Sequence, residues 1–218
     1  MRRAVEVPRY PDLSFERALL ESGFVCVAGV DEAGRGAWAG PVVAGAVILP
    51  LQDASLGQTL SGVRDSKQMT ARQREAWDLR IREVAIAAAV GLAGSQEVDG
   101  LGLIAATRAA MRRALDALGV LPDHVLIDHL GLPEVDRPQT AITHGDARCL
   151  SIAAASVLAK VERDRIMVEM DTRHPGYDFG RNKGYGTPGH AASLLRDGPC
   201  PIHRYTYAPI AQLRLSLR

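Results

Sequence analysis

FVCVAGVDEAGRGAWAGPVVAGAVIL, residues 24–49, carries two short apolar runs on either side of a glycine-rich loop. Residues 24–30 and 42–49 are β-branched and too short for ordinary helices, which is how buried strands read. A short connection makes an antiparallel pair the simplest arrangement. Asp31 and Glu32 then stand where the first strand leaves the core, and Gly34, Gly36 and Gly40 follow at once. Glycines leave backbone N–H groups open to an anion, so acids beside such a loop suggest a metal ion working on a phosphate. The spacing is one residue too long for a dinucleotide-binding G-x-G-x-x-G, and the next segment is a proline followed by a strand rather than a helix.

Outward from this pair, residues 13–22 read as a short amphipathic helix. Thr70 and Gln73 form a capping-box pattern that predicts a helix to about residue 82. Residues 84–92 (VAIAAAVGL) read as a third strand, although their alanines keep a helical continuation open. Ile104, Thr107, Met111, Leu115 and Leu118 recur at three- and four-residue steps, an amphipathic helix closed by Gly119. Residues 124–127 predict a strand that delivers Asp128, residues 139–143 one more strand, and residues 147–170 a long alanine-rich helix. Past residue 172 the chain is rich in glycine and proline, with a short helix near residues 191–196. The expected fold class is α/β, a mixed five-stranded sheet flanked by helices with a helical C-terminal extension. Residues 1–170 are expected to form the catalytic domain and residues 171–218 the extension that contacts substrate.

Length and composition fit this outline. With 218 residues, 47% hydrophobic and 23% charged, the chain suits one globular domain and argues against disorder. Its net charge of +1 gives no bulk sign of a nucleic-acid binder, so any basic face must be local. Cys26, Cys149 and Cys200 are odd in number and far apart, which argues against a disulfide framework or structural zinc and for the reducing cytoplasm. The start, MRRAVEVPRYP, lacks the apolar core of a signal peptide, and no apolar run is long enough to span a bilayer, so no membrane role is expected.

Taken singly, Asp128 reads as a turn residue and Asp146 as a helix N-cap. Two strand ends and a helix start converging would place Asp31, Glu32, Asp128 and Asp146 together, and such repulsion is relieved by divalent cations. Mg2+ or Mn2+ prefer oxygen ligands, and a pair of them can activate water and stabilise a leaving oxygen. Phosphodiester hydrolysis follows naturally. His129, beside Asp128, reads as a structural neighbour.

DEAGRG with GPVVAGAVIL, DSK at 65–67, LID at 126–128, GDARCLSIAAASVLAKVERDR at 145–165, NKGYGT at 182–187 and the closing HRYTYAPI resemble ribonuclease HII in order and spacing. The resemblance implies a ribonuclease H-like sheet and an endonuclease using two divalent ions, Mg2+ or Mn2+, on the RNA strand of RNA–DNA hybrids. It also implies incision of duplex DNA 5′ to a single embedded ribonucleotide, leaving 5′-phosphate and 3′-hydroxyl ends, by a protein expected to be a monomer. Asp31, Glu32, Asp128 and Asp146 fall on the family's catalytic, metal-holding acids. Gly34, Arg35 and Gly36 fall on the segment that reads the ribose 2′-hydroxyl, and Tyr185 on a tyrosine that packs on the deoxyribose beside the junction. Lys67, Lys160 and Lys183 are candidate phosphate contacts, and Ser151 lies where the family's helix nears substrate. Ribonuclease HIII, a transposase or resolvase nuclease, and a silent hybrid-binding module are the rivals. The brief N-terminus and Asp146 as fourth acid oppose the first, GRG and KGYGT the second, and four intact acids the third.

Overall fold

The structure, a computed structural model, describes residues 8–216, with side chains to residue 213. The reading of the N-terminus therefore falls largely on residues 1–7, outside the described residues. In chain order the elements are α1 (Ser14–Glu21), β1 (Val27–Ala33), β2 (Val42–Ile48), α2 (Leu56–Thr59), α3 (Ala71–Val84), β3 (Ala87–Ala93), α4 (Ser95–Leu101) and α5 (Leu103–Asp116). Then follow β4 (His124–Asp128), β5 (Gln139–Ile142), α6 (Gly145–Arg148), α7 (Leu150–Arg173), α8 (Phe179–Asn182), α9 (Pro188–Asp197) and α10 (Ala208–Ser216).

The strands form one sheet in the order β3-β2-β1-β4-β5, a mixed arrangement. β1 and β3 run antiparallel to β2, whereas β4 lies parallel to β1 and β5 parallel to β4. Side chains alternate across this sheet. Ala28, Val30, Val125 and Ile127 pack with Ala110, Met111 and Ala114 of α5, while Val27 and Leu126 pack with Cys149 and Ile152 on the α7 side. The helices thus cover both faces, which is why β2 is buried along its whole length.

Close approach of α7 is permitted by glycine. A Cβ on Gly29 would lie 2.2 Å from the Ser151 carbonyl carbon, and one on Gly45 would lie 2.3 Å from the Ala155 oxygen. Buried Ala153, Ala154 and Ala155 complete this tight seam. Past α7, a smaller cluster of Tyr177, Phe179, Leu194 and Ile210 packs α8, α9 and α10 against Ala39 and Met167. Among the described residues, no helix is long and apolar enough to cross a membrane.

Two expectations need correction. The alanine-rich run is a strand, and it begins at Ala87 because α3, with its Thr70–Gln73 capping box, continues to Val84. The single helix expected over residues 147–170 is two, broken at Cys149, whose backbone is extended. The break is held from the N-terminal segment. Leu150 N–H donates to the Asp12 carbonyl at 2.9 Å and Ser151 N–H to Glu16 Oε1 at 2.7 Å, satisfying the free donors of a new helix start.

Candidate active site

Val30 pairs with Ile127 in the parallel register of β1 and β4, so the next residue on each strand, Asp31 and Asp128, emerges at the same sheet end. Alternation puts Asp31 on the face of Val27 and Gly29 and Asp128 on that of Leu126, the side covered by α7. Gly145 N–H donates to Asp128 Oδ1 at 2.7 Å, tethering the α6 turn to β4 and bringing in Asp146 as the next residue. Asp146 makes no cap here; the residue preceding α6 is His144, in the left-handed region. Glu32, next along β1, accepts from Arg35 Nη1 at 3.2 Å.

Electrostatics register this convergence. Burial, and then the charges of Glu32, Asp128 and Asp146, push Asp31 well above the usual carboxylate range. Burial raises Glu32 although Arg35 opposes it, and burial raises Asp128 although the Gly145 N–H opposes it. Lys67, on the turn at Ser66–Gln68, donates to Asp146 Oδ2 at 3.0 Å and lies 3.6 Å from Asp65. Partial desolvation would lower its pKa, but the bond to Asp146 and the charges of Asp146, Asp65 and Asp31 outweigh it and hold the ammonium above its ordinary value.

Each acid has one oxygen engaged: Asp31 Oδ1 by Glu32 N–H at 2.7 Å, Asp128 Oδ1 by Gly145, Asp146 Oδ2 by Lys67 and Glu32 Oε1 by Arg35. A second oxygen is left on every one. That of Glu32, Oε2, is buried without a hydrogen-bond partner among the described residues. An all-oxygen, multiply charged donor set fits hard divalent cations. As the side chains stand, no three acidic, histidine or cysteine groups among the described residues close on a single point.

The other candidates fall on the β1–β2 loop, on α7 and on the segment between α8 and α9. Gly34 has φ +94°, and a Cβ there would sit 1.9 Å from Arg163 Nε, so only glycine fits; Gly36 has open space around it. The Arg35 carbonyl is fixed twice, by Arg204 Nη1 at 2.8 Å and by the Tyr207 hydroxyl at 2.6 Å. Tyr185 is half-buried, its ring centre 5.7 Å from Lys160 Nζ and 5.2 Å from Arg163 Cζ. Lys160 donates to Asp164 Oδ1 at 2.6 Å, and Lys183, in the left-handed region, turns its ammonium to the Gly180 carbonyl and lines a groove with Arg74 and Arg165. His129 is an exposed turn residue with φ +57°.

Ser151, in the first turn of α7 directly beneath Gly29, is fully buried, its hydroxyl 3.3 Å from Cys149 Sγ and its N–H bonded to Glu16. Sequence reasoning in turn missed Arg163, Arg204 and Tyr207. Both arginines are fully buried, and they bind main-chain carbonyls of residues 35–41: Arg163 those of Ala39 and Pro41, Arg204 those of Arg35 and Gly40. Arg204 and Tyr207 stand in HRYTYAPI and Arg163 in GDARCLSIAAASVLAKVERDR, motifs that carry the resemblance without revealing these contacts.

Comparison with known proteins agrees with this architecture. Residues 28–210 match the family described as ribonuclease HII. The ribonuclease HII of Chloroflexus aurantiacus is 47% identical over 207 residues, spanning 95% of this chain and 98% of its own. The solved ribonuclease H2 from Pyrococcus horikoshii has a TM-score of 0.72 at 27% identity, covering 88% of this chain and 99% of that one. A Bst-RNase HIII solved in complex with Mn2+ shares the fold at TM-score 0.65 and 17% identity, over 89% of this chain and 70% of its own. This chain belongs to the ribonuclease HII family.

Proposed function

We propose that this ribonuclease H cuts the RNA strand of RNA–DNA hybrids and incises duplex DNA on the 5′ side of a single embedded ribonucleotide, leaving 5′-phosphate and 3′-hydroxyl ends. The observation that carries this reading is the convergence of Asp31, Glu32, Asp128 and Asp146, three of them with raised pKa values, at one end of the sheet. Their free oxygens would hold two divalent ions, Mg2+ or Mn2+, which when bound supply a polarised water and charge stabilisation at the leaving oxygen. The Mn2+ bound by an RNase HIII of the same fold supports the choice of metal.

The chain's own groups do the rest. Arg204 and Tyr207 fix the Arg35 carbonyl, and with it the main chain of Gly34–Gly36, which approaches the 2′-hydroxyl that alone distinguishes an RNA sugar locally. Lys67 neutralises part of the acid cluster where a phosphate would enter, and Tyr185, flanked by Lys160 and Arg163, offers its ring to the sugar beyond the junction. Lys183 stands by the groove along α7, and residues 171–218 serve as the substrate-contacting extension. The enzyme is proposed to act as a monomer in the cytoplasm.

The test is a nicking assay with Mg2+ or Mn2+ on duplex DNA bearing one ribonucleotide. Cleavage is expected immediately 5′ to that residue; equal cutting of an all-DNA duplex would overturn the specificity.

A further inference from the structure

We propose that His190 and His203, a buried hydrogen-bonded pair outside the acid cluster, are positioning residues that set Tyr185 for its contact with nucleic acid; this rests on the reading of Tyr185 given above. The chain of donors is determined by its first member. Cys200 N–H donates to His203 Nδ1 at 2.9 Å, a closer approach than the 3.2 Å to the Cys200 carbonyl or to Cys200 Sγ, so that nitrogen acts as the acceptor and the ring proton sits on Nε2. His203 Nε2 lies 3.0 Å from His190 Nε2, which must then accept, leaving the His190 proton on Nδ1. That proton is donated to the Tyr185 carbonyl at 2.9 Å. The two rings carry opposite tautomers, and every ring nitrogen has a partner.

The surroundings favour this uncharged arrangement. His190 packs 5.6 Å from Trp38 and 5.4 Å from Phe179, and His203 packs 5.1 Å from Tyr177, centroid to centroid. Burial lowers both histidines, His203 to about 4, with His190 and His174 adding to the effect on His203; the Cys200 backbone opposes it at His203 and the Tyr185 carbonyl opposes it at His190. Tyr177 and Cys200 are the other titratable groups against the pair, and no carboxylate acts on either ring among the described residues. A further proton would set two N–H groups facing each other across 3.0 Å.

The bond reaches the substrate-facing segment at a useful place. Tyr185 stands between Gly184 and Gly186, and the Gly184 carbonyl accepts from Trp38 N–H at 2.8 Å. A Cβ on Gly186 would lie 2.1 Å from the Trp38 ring, so the segment is pressed against Trp38. Thr187 N–H also holds the Tyr185 carbonyl at 2.8 Å, but it belongs to the same loop. His190 and His203 tie that carbonyl to α9 and to the segment that also presents Arg204, so the tyrosine and the Arg35 loop share one anchor.

The test compares kcat and KM on the single-ribonucleotide duplex and on a uniform hybrid for Tyr185→Ala, His190→Phe, His190→Asn and the Tyr185→Ala/His190→Phe double variant, with 15N NMR of the histidine rings in the full chain. His190→Phe is expected to raise KM for the junction substrate roughly three- to tenfold, the range of one neutral hydrogen bond, with kcat and the hybrid less affected. The double variant should be no worse than Tyr185→Ala alone. In His190→Asn the amide nitrogen overlays Nδ1, so KM should return to within about twofold of the parent. NMR should find His190 protonated on Nδ1 and His203 on Nε2 at neutral pH. If Tyr185→Ala leaves junction KM unchanged, the reading of Tyr185 fails. If Tyr185→Ala acts while a folded His190→Phe does not, or the two effects multiply, the positioning role fails. Should His190→Phe not fold, reversed tautomers or a His190→Asn as impaired as Tyr185→Ala would overturn the proposal.

Discussion

Asp31→Asn is expected to make the metal-free protein more stable while abolishing turnover and sparing substrate binding. Asp31 is only 3% exposed and feels the charges of Glu32, Asp128 and Asp146. Asparagine keeps the Oδ1 that accepts from Glu32 N–H at 2.7 Å, so the local backbone has no reason to move. Its amide can donate toward the neighbouring carboxylates, which the native side chain cannot do. At an effective dielectric near 20, one like charge about 5–7 Å away costs roughly 2–3 kcal/mol. Lys67, which donates to Asp146 at 3.0 Å, offsets part of this. A net gain of about 1–3 kcal/mol remains, or roughly 3–9 °C in Tm for a chain of this size. The assay is thermal unfolding of both proteins in EDTA and again with saturating Mg2+ or Mn2+. In EDTA the variant should melt higher, and on adding metal the parent should gain more than the variant does. A variant that melts lower in EDTA would show that the carboxylate stabilises the bare fold, and the idea of repulsion awaiting a cation would fall.

Acid should weaken the fold through His203. Its pKa is held from 6.5 down to about 4, chiefly by burial. A depressed folded value means that the unfolded chain binds the proton first. The stability from this residue is therefore complete above 6.5 and drains as pH falls towards 4, by about 3 kcal/mol in all; His203→Gln should flatten that part of a Tm-against-pH profile, and an unchanged slope would count against it. Tyr207→Phe removes the 2.6 Å bond to the Arg35 carbonyl but leaves that of Arg204 at 2.8 Å. Stability should drop by about 0.5–1.5 kcal/mol, and kcat/KM on the single-ribonucleotide duplex should fall roughly threefold to tenfold. A stability loss with kcat/KM intact would make the clamp purely structural.

The strand pair and the acids were legible because their signals are local. A β-branched run ending in Asp31 and Glu32, or in Asp128, states both the strand and the place where the chain leaves the core. The turn at Cys149 had no such signal. It depends on Asp12 and on Glu16, whose carboxylate reaches Ser151 from 135 positions away, and local helix propensity favoured one continuous helix. Arg163 and Arg204 were illegible for a related reason. A lone arginine on a helix or loop reads as a solvated charge, and only the fold shows the carbonyls of Ala39 and Gly40, 124 and 164 positions away, that let each be buried.

Those distant contacts change what counts as part of the site. Asp146 reaches Asp31 and Asp128 only because the α6–α7 corner sits on the sheet, and it sits there because Gly29 and Gly45 present no side chain to Ser151 and Ala155. Any Cβ at Gly29 would have to push the Ser151 backbone away from its 2.2 Å position, carrying the corner and Asp146 with it. A misplacement of about 1 Å can cost roughly a hundredfold in a reaction that depends on alignment. The strand glycines, invisible to any search for chemistry, therefore set the geometry of the proposed catalytic acids. The carboxylates supply the charge, and the absence of side chains beneath the helix decides whether that charge converges.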